Sequence, residues 1–350
     1  MSENKHLTPV WIVYVDGKRL DVEHEGALKR ISVNDRLNGV SSFSLLFDTS
    51  AVKIRDKGLI APESVLSIHL GYKDDVDEVF EGEVLGFRAI LAEYGTEQLE
   101  VTGCNCLHKL GHGTHYRSFE EMTPSDAVAG VLDAYSLDGS VEAFGATRPF
   151  FSQQGQTDLD FVLTLAGKYG KDVYGYGKKV FIANEITEWT DEIIFEWGKS
   201  LIHFETEENF RPLVSDCRTV GWDALKNESF VGEAAITDAL VKVGGSSDWT
   251  KLSKGGSGLW TDVIVDHAVV DAEEAKMISA GKLTRNSWLF SRARGSAEGN
   301  YKLKAGMRVT IKMAGEAFSG EYIADSVNHV FDYRNGYRTE FSLKRNMSPC

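Results

Sequence analysis

Positive charge is the first thing this chain lacks: 38 Lys and Arg face 52 Asp and Glu, leaving a net charge of −14. Phosphate contacts are made by Lys and Arg, so the balance argues against stable nucleic-acid binding. It suits a soluble surface, and equally one past which acidic cargo slides by like-charge repulsion. Long apolar runs are missing too, since no stretch approaches the ~18 uninterrupted apolar residues of a membrane span. No apolar core follows Lys5 and His6, so the N-terminus does not read as a secretion signal and the chain is expected to fold in the cytoplasm that makes it. Four cysteines in 350 residues are too few for a disulfide framework, and Cys350 reads as a free thiol.

Catalytic signatures are also absent. There is no His-Glu-x-x-His, no Gly-x-Ser-x-Gly elbow, and the run Gly255–Gly258 lacks the Lys-Ser/Thr of a phosphate loop. No glycosidase pair stands out among 52 acidic residues. Asp158 and Asp160 fall at a helix start, where the dipole favours acids, so capping explains them better than catalysis. The one metal-like cluster is Cys104, Cys106 and His108, with His112 and His115 nearby. Strand alternation would put the first three on one face, within reach of a zinc ion. The one-residue gap between the cysteines is not the usual two to four, however, and buried Cys commonly packs as a small hydrophobe. The expectation is therefore no metal and no cofactor.

What is present is β-pattern, interrupted twice. A 350-residue chain with 42% hydrophobic and 26% charged residues predicts two or three soluble domains. In the first hundred residues, Val10–Val15, Phe43–Phe47, Val65–Leu70, Val79–Phe87 and Leu99–Thr102 are short, branched and aromatic, the strands of a small barrel or sandwich. After Cys106 the period changes. Thr123 and Pro124 open a helix with Ala127, Val128, Val131, Leu132 and Tyr135 on one face. Near Asp158 a second begins, carrying Leu159, Val162, Leu163 and Ala166 and closing at Gly170. Two strands, Val173–Tyr176 and Lys179–Ile182, follow. The β-pattern returns at Leu201–Glu205, at Leu213–Trp222 and from Met307 onward. Between these lie a Gly-rich stretch, Gly244–Gly258, and a helix that Asp271 and Glu274 would cap, bearing Ala275, Ile278 and Leu283. The predicted class is mainly β with α/β inserts. Residues 1–106 form a first barrel and 107–198 an insert; 199–235 with 301–350 form a second barrel, interrupted by 236–300.

An internal echo ties the two β regions together. Phe80-Glu81-Gly82-Glu83-Val84-Leu85 resembles Phe318-Ser319-Gly320-Glu321-Tyr322-Ile323. Each is preceded by an alternating strand (Leu66–Gly71, Val309–Gly315) and followed by a glycine and another strand (Gly95 with Leu99–Val101, Gly336 with Thr339–Leu343). Three elements in the same order suggest one β-unit used twice, with Phe80 and Phe318 at equivalent core positions.

Four blocks, spread over nearly the whole chain, resemble the phage late control gene D family, related to VgrG spike proteins and to baseplate hubs of contractile phages. They are Val101-Thr102-Gly103 through Leu107-His108-Lys109-Leu110; Gln156 through Val162 to Gly170, with Val173 and Phe181; Val220-Gly221-Trp222-Asp223; and Leu303–Met307 with Phe318–Tyr322 and Gly336–Phe341. The resemblance implies two related tail-tube-like barrels and a structural, non-enzymatic hub. It also implies a homotrimer meeting a tail tube protein, a spike protein and other baseplate proteins, assembled in the bacterial cytoplasm and carried in a virion tail or injection particle. VgrG proteins continue into a further domain and a β-helical needle; this sequence ends at Cys350, so the spike is expected to be a separate protein. The competing expectations are a tail-tip peptidoglycan or polysaccharide hydrolase and the hub of a non-contractile tail tip.

Overall fold

The computed structural model describes residues 8–50, 54–55, 58–73, 75–92, 96–211, 213–223, 225–248, 250, 260–266 and 268–349. Lys5, His6, Gly95, the run Gly255–Gly258 and Cys350 lie outside the described residues.

Seven strands begin the chain: β1 (Pro9–Val15), β2 (Lys18–Arg19), β3 (Leu28–Arg36), β4 (Ser42–Asp48), β5 (Val65–Tyr72), β6 (Asp75–Ala92) and β7 (Thr96–Cys104), with a short helix α1 (Val22–Gly26). Alternation sets their faces. Along β5 Leu66, Ile68 and Leu70 are fully buried while Ser67 and His69 are partly exposed. They join Ile31, Val33, Leu45, Phe47 and Phe80 in one core, each buried side chain contributing roughly 1.5–3 kcal/mol.

Next come β8 (His115–Met122), α2 (Pro124–Ala134), β9 (Asp138–Val141), β10 (Arg148–Gln156), α3 (Asp158–Lys168), β11 (Asp172–Tyr176) and β12 (Lys179–Ala183). Thr123 accepts from the Asp126 N–H and Thr157 from the Asp160 N–H, so each helix has a true N-cap. These elements share a second core, built on Val128, Leu132, Phe161, Val162, Val173 and Ile182.

The remainder holds β13 (Ile193–Glu196), β14 (Leu201–Glu208), β15 (Asp216–Asp223), β16 (Glu228–Ala235), β17 (Thr261–Val265), α4 (Ala272–Ser287), β18 (Ser291–Glu298), β19 (Arg308–Lys312), β20 (Gly320–Asp332) and β21 (Gly336–Arg345). Asp271 caps α4 through the Glu274 N–H. The pairing redraws three expected boundaries. Strand β13, placed before 198, pairs with β19. Strands β15 and β16, assigned to the second barrel, form a separate three-stranded sheet with β17 that packs on α4. Strand β18, placed in the insert 236–300, pairs with β14 and β21.

The β regions form two units of the same strand order, β3-β4-β7-β6-β5-β1 and β14-β18-β21-β20-β19-β13. They fuse into one 13-stranded sheet because Ser326–Asp332 of β20 pairs with Arg36–Arg30 of β3. Among the described residues neither unit closes into a continuous barrel. No strand pairing joins β1 to β3, and a single bridge, Trp197 to Leu201, links the end of β13 to β14. The mainly β class with α/β inserts holds; the units are open.

Candidate functional site

The zinc candidates separate. Alternation stops at Asn105, whose N–H donates to the Ser41 carbonyl and whose side chain donates to the Gly175 carbonyl. A 3-10 turn (Cys106–Gly111) follows, so Cys104 stays on the sheet while Cys106 turns inward toward the Lys179 carbonyl. Burial pushes the Cys106 thiol up to about 12. His108 Nε2 lies 3.1 Å from Glu83 instead, beside Lys109 at 2.5 Å from the same carboxylate. Those two hydrogen bonds outweigh burial and hold Glu83 below its ordinary pKa. Among the described residues the ligand atoms that do cluster are those of Asp21, Glu23 and His24. There Asp21 caps α1 and binds His24 Nδ1 at 2.5 Å, which is local helix chemistry.

The buried polar groups serve as joints. Asp35 of β3 accepts from Ser41 Oγ, from Tyr174 OH of β11 and from the Ala305 N–H, each at 2.9 Å, so one carboxylate ties the first unit, the α/β lobe and the second unit. Burial pushes its pKa up against these donors. Glu274 of α4 receives Arg148 at 2.8 Å and Tyr169 OH at 2.5 Å, fixing α4 to the lobe. Asp158 is wholly buried and accepts from Arg117 at 2.7 Å, Tyr135 OH at 2.8 Å and Gln153 at 2.8 Å. It anchors the lobe, whereas Asp160 alone stays with the Thr157 cap. Ser67 Oγ lies 2.8 Å from His69 and 2.5 Å from Glu78. The carboxylate thus grips the hydroxyl itself, whereas a nucleophile relay needs it to orient the histidine. Arg117 for Asp158, Arg148 for Glu274, and Tyr174 and Ala305 for Asp35 could not be named from sequence, because each is brought in by a distant part of the chain.

The doubled unit is the largest organised feature, and its register can be read residue by residue. In the first unit Leu66 faces Gly82, Ile68 faces Phe80, and β6 bulges between Val84 and Gly86 against Gly103 and Thr102 of β7. In the second, Val309 faces Tyr322, Ile311 faces Gly320, and β20 bulges between Ala324 and Ser326 against Leu343 and Ser342 of β21. Matching the bulges makes Gly82 equivalent to Tyr322 and Phe80 to Gly320. The sequence echo is therefore displaced by two residues, a shift that keeps each side chain on its face. Phe80 is 2% exposed and Phe318, outside any strand, is 38% exposed, so the expected equivalence of those two rings does not hold. The outer strands agree as well: β3 bulges between Leu28 and Arg30 against β4, and β14 between Leu201 and His203 against β18.

Residues 5–332 match the model of a family described as the Alg8 N-terminal domain. The chain belongs to that family. Its name differs from that of the late control gene D family which the sequence blocks resemble. Among solved structures, this member of the Alg8 N-terminal domain family is similar to a tail protein from Neisseria meningitidis MC58, with TM-score 0.69, 11% identity, and 97% of each chain covered. It is similar to the 43 kDa tail protein of prophage MuSo2 from Shewanella oneidensis, with TM-score 0.68 and 16% identity over 97% of this chain and 99% of that one. A third similar structure is an E. coli component of the type VI secretion system, itself described as resembling T4 bacteriophage tail proteins gp27 and gp5. There the TM-score is 0.61 at 10% identity, covering 95% of this chain and 76% of the other. At these identities the likeness is one of fold: the chain has the fold of phage tail and type VI secretion proteins. No curated protein matches it in sequence. No helix among the described residues is long and apolar enough to cross a membrane.

Proposed function

We propose that this chain is the structural hub of a phage tail tip or contractile injection system, joining a hexameric tail tube to a trimeric spike. The observation that carries the reading is one strand order used twice, with matching bulges on β3 and β14 and on β6 and β20; the last strand differs, β1 running antiparallel to β5 and β13 parallel to β19. Three copies of a chain with two such units offer six to a six-fold tube and three protomers to a spike. The tail and type VI descriptions of its similar folds support this role. The net charge of −14 suits an acid-lined channel. In this reading the chain is not an enzyme and needs no cofactor. Its partners are itself, the tube protein, a spike and other baseplate proteins, met during assembly in the bacterial cytoplasm. The test is electron cryo-microscopy of the intact particle. Three copies around an acidic channel are expected; six copies, or a channel lined mainly by Lys and Arg, would overturn the reading.

A further inference from the structure

An open cleft of 590 Å³ lies where the first unit, the α/β lobe and the segments that precede β13 and follow β18 come together. Its volume is that of a small-molecule site, about 300–1,000 Å³. Three aromatic side chains line it: Tyr176 of β11, Trp189 before β13 and Tyr301 after β18. Each is held in place. Trp189 makes T-shaped contacts with Tyr174, Tyr176 and Phe181 at 5.3, 5.7 and 5.8 Å. Tyr176 OH donates to the Glu78 carboxylate at 2.8 Å, and Tyr301 OH donates to Asp75.

The polar lining is equally fixed, yet it has bonding capacity left. Lys304 is 6% exposed, and its ammonium sits 4.3 Å from the centre of the Tyr176 ring. It donates to the Glu78 carbonyl at 3.1 Å and to Tyr176 OH at 3.2 Å, which uses two of its three N–H groups. Asp77 accepts from the adjacent Glu78 N–H and Asp191 from Lys302 at 3.2 Å. Both carboxylates are exposed, and each has lone pairs to spare.

This lining decides the class of ligand. Asp77, Glu78 and Asp191 repel an anion. A cation finds the Tyr176 face already taken by Lys304. A wholly apolar molecule would strip water from the charges and give nothing back. What remains is a neutral molecule with hydroxyls for the carboxylates and the ammonium, and a C–H face for the rings.

We propose that this cleft binds a sugar, with a pyranose ring against Trp189 and Tyr301 and its hydroxyls bonded by Asp77, Asp191 and Lys304. The proposal is of binding alone, and it is independent of the hub reading.

The test is saturation-transfer NMR on the full chain with glucose, galactose and N-acetylglucosamine at millimolar concentration, and with sorbitol as an open-chain control. At least one pyranose should receive saturation, and sorbitol should not. Asp77→Asn and Asp191→Asn alter exposed side chains and leave the packing alone. Each should weaken binding of that pyranose about tenfold, the worth of one hydrogen bond to a charged group. Trp189→Phe keeps a ring among Tyr174, Tyr176 and Phe181, and should abolish any sugar-induced change in tryptophan fluorescence. No transfer to any of the three pyranoses, equal transfer to sorbitol, or transfer that neither aspartate variant weakens would overturn the proposal. Tighter binding of inorganic phosphate or putrescine, sensitive to the same variants, would assign the cleft to an ion and overturn it as well.

Discussion

The two β units carry one register on two different cores. In the first, Phe43 faces Gly103 and Leu45 faces Val101; at the equivalent pairs in the second, Ala293 faces Leu343 and Gly295 faces Phe341. The ring lies on β4 in one unit and on β21 in the other, each opposite a glycine. A Cβ at Gly103 would come within 2.5 Å of the Phe43 ring, and one at Gly295 within 2.6 Å of the Phe341 ring. Likewise Phe80 fills space left by Gly82, while Tyr322 occupies the place of Gly82 beside Gly320. Volume is conserved while the residues that supply it change sides. Strand order and the bulges on β3 and β14 and on β6 and β20 are kept, so backbone pairing defines the unit and side chains fill it afterwards; only the last strand departs, β13 running parallel to β19 where β1 runs antiparallel to β5.

The sharpest way to break this comparison is at the rings. Phe80→Ala and Tyr322→Ala should each cost about 3–5 kcal/mol, since both rings are buried. Phe318→Ala should cost less than about 1 kcal/mol. Urea denaturation of the three variants decides the matter, and an equal loss at Phe318 would favour the residue-for-residue echo over the bulge register.

A second difference concerns what the joint of β3 with β20 buries. His329 of β20 is covered, with Nδ1 2.8 Å from Tyr337 OH and Nε2 3.0 Å from the Leu303 carbonyl. Its equivalent, Ala89, is exposed. Burial, helped by the nearby Lys304 charge, lowers the His329 pKa from 6.5 to about 3. Above pH 6.5 both folded and unfolded histidine are neutral, so this group adds no pH dependence. As pH falls from 6.5 toward about 3 only the unfolded chain takes up the proton, and stability should drop by up to about 1.4 kcal/mol per pH unit. A pH series of denaturation midpoints should show this component vanish in His329→Gln. An unchanged slope would mean that the imidazole is not held neutral by the joint.

How much of this was legible in the sequence follows the range of each interaction. Helix starts at Thr123, near Asp158 and at Asp271 could be read, because a cap acts within three residues. The alternation of β5 and the echo of two meanders could be read for the same reason. The offset of two could not: likeness of residue types follows Phe-x-Gly-Glu, whereas pairing follows the bulge, and a period of 2 tolerates the slip. The fusion of β20 to β3 and of β13 to β19 depends on partners far along the chain, which local pattern does not encode. Cys104 and Cys106 do not continue one strand face for a local reason, the turn at Asn105 that ends alternation just before Cys106.

A smaller test exchanges volume within one pair. Gly295→Ala should cost about 1–3 kcal/mol, because the new methyl meets both the Phe341 ring and the His203 carbonyl oxygen. Combined with Phe341→Val, which imports the valine of the first unit, the added cost should shrink by about 1 kcal/mol in a double-mutant cycle. Additive losses would show that the two cores are not interchangeable solutions of one packing problem.

The smallest expected effect lies at the sheet surface, where the first unit has Arg88 beside Glu100 and the second has Asn328 donating to Glu340 at 3.0 Å. Arg88→Asn gives the first unit the residue of the second and leaves the backbone pairing untouched. The arginine side chain is 71% exposed, so its ion pair is screened and should be worth less than about 1 kcal/mol, less still in high salt. Stability of the dilute chain should therefore scarcely move. A loss of several kcal/mol at low concentration would mean that Arg88 supports the fold itself, and the equivalence of the two surface pairs would fail. A small loss in the dilute chain together with impaired self-association would assign the arginine to contacts between copies.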